Sequence, residues 1–329
     1  MFEYSSYDFN HIYNRIKNRL TLGVAPASCP VAYILGGQPG AGKTILQNQI
    51  LKNDYNCIII NADVFREKHP YFSQIQTTFG DDSPKYTQPF INSVTEKLIR
   101  ELSDEKYNLI IEGTLRTAET PINTCKTLKD KGYRVELHII AVKKEISYES
   151  TILRYEIAIA SGNTPRATAK EHHDLVAESI VKNLDLIYQR KIFDDIRLFS
   201  RFEKCIYPTG EEISPAVVER EVLNGNWSNA ELTMLREIIS EVKRLKSERN
   251  APDYNAYSLR TDELTDSIYV SDFYFEGTKQ EAAYLTEQGV RYDGNISENK
   301  NSVIKISKSE KDKVSNMLEL FRKKNNIKK

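Results

Sequence analysis

The stretch VAYILGGQPGAGKT (residues 31–44) decides the fold class of this chain. Its first five residues, 31–35, are a short apolar run of the kind that forms a strand buried on both faces of a sheet. Residues 37–44 match the phosphate-binding pattern G-x-x-x-x-G-K-[ST] at every fixed position, and residues 44–51 have the pattern of a helix. The motif therefore lies between a strand and a helix, as a phosphate-binding loop requires. Its residues are Gly37, Gln38, Pro39, Gly40, Ala41, Gly42, Lys43 and Thr44.

The residue types in this loop predict that it binds ATP together with Mg²⁺. Glycines allow consecutive backbone N–H groups to point into one concavity, and the positive end of the following helix adds to the field there. Lys43 would reach the β- and γ-phosphates, and the Thr44 hydroxyl would ligate Mg²⁺. A chance match in a glycine-rich turn is the alternative, and the matched flanks disfavour it.

Further buried strands follow the loop, and helices separate them. Apolar runs predict strands over 57–60, 108–111 and 135–142 and a further one over 196–199, while stretches such as 89–102 and 120–131 predict helices. Strands that alternate with helices form a parallel sheet covered on both faces. We therefore expect an α/β protein with a P-loop NTPase/kinase fold, a parallel β-sheet flanked by helices, and a small C-terminal α+β appendage.

Two acidic residues follow strands at the edge where ligands bind in parallel α/β sheets. Asp63 comes after the strand at 57–60, and Glu112 comes after the strand at 108–111. One acid can hold Mg²⁺ while the other accepts a proton from an attacking hydroxyl. For Asp63, the alternative is a helix N-cap, because a helix is possible over 64–68. Position alone does not assign the two roles.

The chain resembles the zeta toxins, kinases of bacterial toxin–antitoxin systems that phosphorylate UDP-N-acetylglucosamine. The matching stretches occur in the family's order and cover about residues 30–200. They are LGGQPGAGKT (35–44), NADVFREKHPYF (61–72), YNLIIEGTLRT (107–117), KGYRVELHIIAV (131–142), SYESTILRYE (147–156) and RATAKEHHD (166–174).

The resemblance implies roles for single residues. Asp63 resembles the general base that takes the proton from the 3′-hydroxyl of the amino sugar, and Lys43 and Thr44 resemble the phosphate and magnesium ligands. Arg154 and Arg166 resemble the two arginines that clamp the transferring phosphate; the alternative is surface pairing with Glu156 or Glu171. The residues that lie where the family holds the nucleotide sugar are Glu96, Glu112, Thr114, Arg116 and Thr124. A small helical antitoxin that covers the ATP site is the implied protein partner.

Composition and charge restrict the other partners and the location. The 46 basic and 46 acidic residues cancel, which gives no reason to expect nucleic acid or an anionic membrane as a partner. The N-terminus has no apolar signal region, and no apolar run is long enough to span a bilayer, so a cytoplasmic protein is expected. Four scattered cysteines form no metal-binding pattern, and the adjacent pair His172 and His173 is interpreted as structural.

The domain prediction is a kinase domain over 1–249, a linker over 250–267 and a small module of unknown role over 268–329. Within the module, we expect strand over 268–275, helix over 279–288, strands over 289–293 and 302–306, and helix over 309–323. Two other functions remain open: a kinase for another nucleotide sugar, a nucleoside or an antibiotic, and a non-catalytic nucleotide-dependent binding protein.

Overall fold

A mostly parallel sheet forms the centre of the larger of two units. The structure, a computed structural model, describes residues 2–208, 210, 212–288, 302–307 and 311–325. Its backbone contacts divide the chain into one unit of residues 1–225 and 230–245 and a second unit of residues 226–229 and 246–329. The division falls within the helix over Asn229–Glu248, close to the predicted boundary at residue 249.

The sheet of the first unit has the order β2-β3-β1-β4-β5-β6 in the described residues, so β1 lies centrally. Strands β1 to β5 pair in parallel, and β6 is antiparallel to β5. Strands β3 and β4, which lie on either side of β1, are almost wholly buried, which explains their continuous apolar runs. The strands are β1 (Val31–Gly36), β2 (Cys57–Ile60), β3 (Asn108–Glu112), β4 (Arg134–Ala141), β5 (Asp195–Ser200) and β6 (Cys205–Tyr207).

Eight α-helices in the described residues begin in the first unit, and most of a ninth also belongs to it; a 3₁₀ turn lies at Ala62–Lys68 after β2. The core of the unit is formed by apolar residues of β1 to β5, such as Ile34, Leu109 and Leu137, together with helix residues such as Leu98. These helices are α1 (Ser6–Thr21), α2 (Lys43–Asn53), α3 (Phe72–Phe79), α4 (Ser83–Asp104), α5 (Glu119–Asp130), α6 (Lys144–Ala160), α7 (Lys170–Arg190), α8 (Pro215–Asn224) and α9 (Asn229–Glu248).

The predicted fold class is confirmed: a P-loop kinase fold with helices around a mostly parallel sheet. The five predicted strands each lie within a residue or two of β1 to β5. The short antiparallel strand β6 was not predicted, because a three-residue strand shows no alternation to recognise.

The second unit contains helices and a two-stranded antiparallel sheet. Strands β7 and β8 pair from Asp272 with Ser307 to Gly277 with Ser302. Helices α11 and α12 pack through a small core of four residues: Ala282, Leu285, Val314 and Leu318. Its elements are α10 (Tyr254–Ser271), β7 (Asp272–Gly277), α11 (Lys279–Glu287), β8 (Ser302–Ser307) and α12 (Lys311–Lys324). The strand expected at 289–293 lies outside the described residues.

The structure differs from the prediction where a linker was expected over 250–267. Helix α10 covers most of this segment and continues to Ser271. Its buried residues Tyr257, Thr261 and Ile268 are four and then seven positions apart, the spacing of one helical face. The stripe was missed because it is sparse and one of its members, Thr261, is polar. Within the described ranges, every helix is too short or too polar to cross a lipid bilayer.

Candidate active site

The glycine-rich loop lies at the carboxyl edge of the sheet, between β1 and α2. Gly40 has φ +76°, and a Cβ added there would lie 2.0 Å from the Ser147 backbone oxygen in α6. This contact explains why the position needs glycine, since the loop backbone packs directly against the first turn of α6. Gly42, with φ +101°, precedes α2 and turns the chain into it.

The lysine of the loop is buried and folds back over the loop backbone. The Lys43 ammonium donates to the backbone oxygens of Gly37 at 2.9 Å and Gln38 at 3.3 Å. Burial lowers the pKa of Lys43, and the nearby carboxylates of Glu112 and Asp63 raise it in part. Thr44, the next residue, is exposed at the start of α2.

The second strand-end acid, Glu112, lies beside this lysine. A Glu112 carboxylate oxygen is 3.9 Å from the Lys43 ammonium. The other oxygen accepts hydrogen bonds from the side-chain amides of Gln47 at 2.8 Å and Asn61 at 2.6 Å. Burial raises the pKa of Glu112, while Lys43 acts in the opposite direction.

Asp63 lies in the 3₁₀ turn after β2, and its carboxylate faces two arginines. It forms an ion pair with Arg166 and lies 3.5 Å from the Arg66 guanidinium. Burial alone would raise the pKa of Asp63, but the charge and hydrogen bond of Arg166 outweigh it, so the pKa is lowered. The N-cap of the turn is Asn61, whose side-chain oxygen accepts from the Asp63 N–H at 3.0 Å. The N-cap interpretation of Asp63 is therefore wrong.

Arg154 and Arg166 come from neighbouring segments to the same region. Arg154 lies on α6, and its positive charge lowers the pKa values of Asp63 and Glu112. Arg166 lies in the loop between α6 and α7, where its ion pair is with Asp63 and not with Glu171. The structure thus brings together five charged residues, which we call the charged cluster: Lys43, Asp63, Glu112, Arg154 and Arg166.

The loop after β3 carries two of the predicted acceptor-binding residues, Thr114 and Arg116. Leu115 between them has φ +57° and packs over the last residue of β1: a Cβ on Gly36 would lie 2.4 Å from the Leu115 side chain. The Asn183 side chain of α7 holds this loop by donating to the backbone oxygens of Leu115 at 2.9 Å and Arg116 at 2.8 Å.

The two remaining predicted residues lie on helices of the first unit. Thr124 lies on α5, and Glu96 lies on the exposed face of α4. Among the described residues, no hydrogen bond or ion pair joins Glu96 to the cluster. Arg116 and Arg166 both act on His172: their positive charges add to the effect of burial in lowering the pKa of this exposed histidine.

Sequence reasoning missed several residues that hold the site. Arg66 donates to the Pro84 backbone oxygen at 2.8 Å and to the Gln88 side chain at 3.1 Å, which anchors the turn of Asp63 to α4. Arg201, after β5, donates to the Gly40 backbone oxygen at 2.8 Å. The stretch NADVFREKHP contains Arg66 three positions after Asp63, a spacing that could have signalled the first of these.

The chain matches the model of one protein family over most of its first unit. The Zeta toxin family model matches residues 15–212. "Toxin PezT" of Streptococcus pneumoniae is 41% identical over 238 residues, which are 71% of this chain and 94% of that protein. "Toxin zeta" of Streptococcus pyogenes is 36% identical over 260 residues, 78% of this chain and 91% of that protein. A solved structure from the PezAT chromosomal toxin–antitoxin system of Streptococcus pneumoniae covers 74% of this chain and 98% of its own, with 38% identity and a TM-score of 0.69.

Proposed function

We propose, because this chain belongs to the zeta toxin family, that it is an ATP-dependent kinase for the 3′-hydroxyl of UDP-N-acetylglucosamine. The kinase class rests on the phosphate-binding loop and on the fold. The acceptor rests on the family resemblance of the stretches quoted above. By removing a cell-wall precursor, the reaction would make the protein a toxin.

One observation carries the proposal: Asp63 and Lys43 lie at the same edge of the sheet. A short chain of contacts joins them, from Lys43 to Glu112, from Glu112 to Asn61 and from Asn61 to the Asp63 backbone. A base and a phosphate-binding lysine on opposite faces of the sheet could not act on one substrate pair. Their shared edge is the arrangement that transfer to an alcohol needs.

The proposed reaction assigns one step to each member of the site. The 3′-hydroxyl oxygen attacks the γ-phosphorus of ATP, the bond from that phosphorus to the β–γ bridging oxygen breaks, and ADP leaves. Asp63 accepts the hydroxyl proton as general base; its lowered pKa keeps it ionised at neutral pH. Lys43 binds the phosphates, and Arg154 and Arg166 stabilise the charge on the transferring group.

The donor set of the loop fits Mg²⁺. Within the described residues, no cluster of three or more metal-binding side chains occurs, so a site built wholly from protein ligands is not present there. Mg²⁺ prefers substrate phosphates, water and one or two protein oxygens, and the exposed Thr44 hydroxyl supplies one. Bound there, the ion would neutralise phosphate charge during transfer.

We place the acceptor along the loop after β3. Glu112 is the last residue of β3, and Thr114 and Arg116 follow it in the loop. Strand β3 pairs with β2, the strand that Asp63 follows. The positive charge of Arg116 suits the diphosphate of a nucleotide sugar. Thr124 on α5 and Glu96 on α4 complete the proposed set on the family resemblance alone. The partner proposed on the same ground is a small helical antitoxin over the ATP site, and such a kinase would act in the cytoplasm.

Incubation with Mg-ATP and a panel of hydroxyl acceptors tests the substrate. The panel contains UDP-N-acetylglucosamine, other nucleotide sugars, nucleosides and aminoglycosides, and mass spectrometry detects a gain of one phosphate. We expect phosphate on the amino sugar of UDP-N-acetylglucosamine only. Phosphorylation of another acceptor would keep the kinase and reject the substrate, and intact ATP with every acceptor would reject both.

A further inference from the structure

A buried chain of hydrogen bonds runs from α7 through α6 to the phosphate-binding loop. His173 is bonded through Nδ1 to the Asp174 carboxylate at 3.1 Å and through Nε2 to the Ser147 hydroxyl at 2.8 Å. The Gln38 side-chain amide of the loop then donates to the same hydroxyl at 3.3 Å and to the Val142 backbone oxygen at 2.9 Å. We call these four residues the relay: Gln38, Ser147, His173 and Asp174.

Burial makes the relay rigid. Gln38, Ser147 and His173 are each 0% exposed, so their bonds have no competition from solvent. A buried polar group that loses its partner is destabilising, which favours keeping these bonds together. Burial also lowers the pKa of His173, although Asp174 opposes this, so the imidazole is neutral at physiological pH. With Nδ1–H donating to Asp174, Nε2 is the acceptor in the bond to the Ser147 hydroxyl, which also lies 2.9 Å from the Lys144 backbone oxygen.

The relay joins the segments that carry the two arginines. Ser147 is in the first turn of α6, and Arg154 lies seven positions later on the same face of that helix. Ser147 and His173 are 26 residues apart, and their bond closes the segment whose loop carries Arg166. This hydrogen bond therefore links the two segments that carry the arginines.

The other end of the relay reaches the phosphate-binding lysine. The Gln38 backbone oxygen accepts from the Lys43 ammonium at 3.3 Å. The α6 backbone at Ser147 also packs against Gly40, where a Cβ would approach the Ser147 oxygen to 2.0 Å. The loop thus contacts this turn of α6 through both a side chain and its backbone.

We propose that Ser147 and His173 are positioning residues that hold the arginines of the kinase in register with the phosphate-binding loop, so that the γ-phosphate is gripped from both sides. The inference rests on the proposed function, in that it takes ATP as the phosphoryl donor. It assigns to His173, in the RATAKEHHD stretch, a role other than metal binding or acid–base chemistry. Ser147 and His173 contact other protein groups, and the arginines contact the phosphate.

The test that needs no acceptor compares the affinities for ATP and ADP by calorimetry. Only ATP has the γ-phosphate, so the ratio of the two dissociation constants measures how much the contacts of the arginines with that phosphate contribute to binding. In Ser147→Ala and in His173→Ala we expect the preference for ATP to fall about tenfold, since one charge-assisted contact is worth about that factor. An unchanged preference in a folded variant would overturn the proposal.

Two further variants separate positioning from simple stability. Ser150→Ala is the matched control, because Ser150 is also on α6 but donates only to the Ile146 backbone oxygen at 2.7 Å. It should keep the wild-type preference; an equal loss there would overturn the inference. His173→Gln retains an amide able to bond to Ser147 and should keep the preference within about threefold. A loss as large as that of the alanine variant would refute the role of the hydrogen bond.

The last test compares the double variant with the two single variants. If the relay acts as a unit, the double variant Ser147→Ala/His173→Ala loses no more than the worse single variant. Losses that multiply would contradict a shared function. If the variants at the buried positions fail to fold, Asp174→Ala replaces them, because Asp174 is only half-buried. We expect its preference for ATP over ADP to fall about threefold. An unchanged preference would contradict the proposal. A wild type that binds ATP but phosphorylates no acceptor would reject the proposed function and leave this test intact.

Discussion

Two guanidinium groups determine the ionisation of Asp63. Arg166 forms an ion pair with the carboxylate, and Arg66 lies 3.5 Å away and is itself anchored to α4. Burial raises the pKa of Asp63, but these charges outweigh it and lower the pKa below its ordinary value. The carboxylate is therefore ionised, the form in which a general base acts, at any pH near neutrality.

The first prediction concerns Arg166→Gln. Loss of the arginine should reduce kcat by about 10³ or more, as for other arginines that contact a transferring phosphate. It should also raise the pKa of Asp63. Since a base works only when deprotonated, the acid limb of the kcat/KM profile should move to higher pH. Arg197→Gln, which removes an arginine paired with Asp195 on β5, is the control and should leave the profile unchanged. An unshifted acid limb in Arg166→Gln would contradict this account of Asp63.

Glu219 gives a second prediction, on stability. Its side chain is 0% exposed, neither carboxylate oxygen has a hydrogen-bond partner in the described residues, and burial raises its pKa to about 8. The folded chain thus keeps a proton that the unfolded chain releases above about pH 4.5. Stability from this group is full below pH 4.5 and is lost as pH rises towards 8, by about 1.4 kcal/mol per pH unit.

The variant Glu219→Gln cannot release that proton. We expect its Tm to exceed that of the wild type by several degrees at pH 8 and to approach it at pH 5. Thermal unfolding followed by circular dichroism across this range is the measurement. A pH-independent difference between the two proteins would show that the carboxyl does not titrate in the folded state as described.

At the scale of elements, the phosphate-binding loop is fixed by how closely it packs on α6. Gly40→Ala places a Cβ 2.0 Å from the Ser147 oxygen, so the loop must move. We expect ATP affinity to fall by at least tenfold, measured by calorimetry. Gly132→Ala is the control, because Gly132 has a similar φ of +78° but nothing within 4 Å of an added Cβ. The Gly132→Ala variant introduces the backbone strain without the steric clash. An equal loss of ATP affinity in that variant would show that strain, and not the contact with α6, causes the effect.

The elements that could be predicted are those with local signals. Apolar runs such as 108–111 identify buried strands, and the ends of β2 and β3 then place Asp63 and Glu112 at one edge. Helix α10 was misread as a linker because its buried stripe is sparse. Local patterns therefore gave the sheet and the loop, but not a helix with few apolar residues.

The support of the site was beyond sequence reasoning because it depends on contacts distant in the chain. Gln38 and Ser147 are 109 residues apart, Gln47 and Glu112 are 65 apart, and Asn183 and Leu115 are 68 apart. No periodicity or motif pairs such positions. The prediction placed the charged residues and could not place the amides and hydroxyls that hold them.

At the scale of the whole molecule, the family model and the second unit do not overlap. The family model ends at residue 212, whereas the second unit is mostly residues 246–329. The charged cluster lies wholly in the first unit. We therefore expect a chain of residues 1–249, which ends after α9, to fold and to keep kcat within about threefold of the full-length value. Loss of activity in a folded truncation would show that the second unit contributes to catalysis.

The central claim is that Asp63 takes the proton from the hydroxyl that receives the γ-phosphate. Single-turnover transfer from γ-labelled ATP to UDP-N-acetylglucosamine, by wild type and by Asp63→Asn, tests it most directly. Asparagine keeps the size of the side chain but cannot act as a base. We predict a rate reduced by about 10²–10⁴ with ATP still bound, as expected for loss of a general base. Transfer by Asp63→Asn at the wild-type rate would contradict the account.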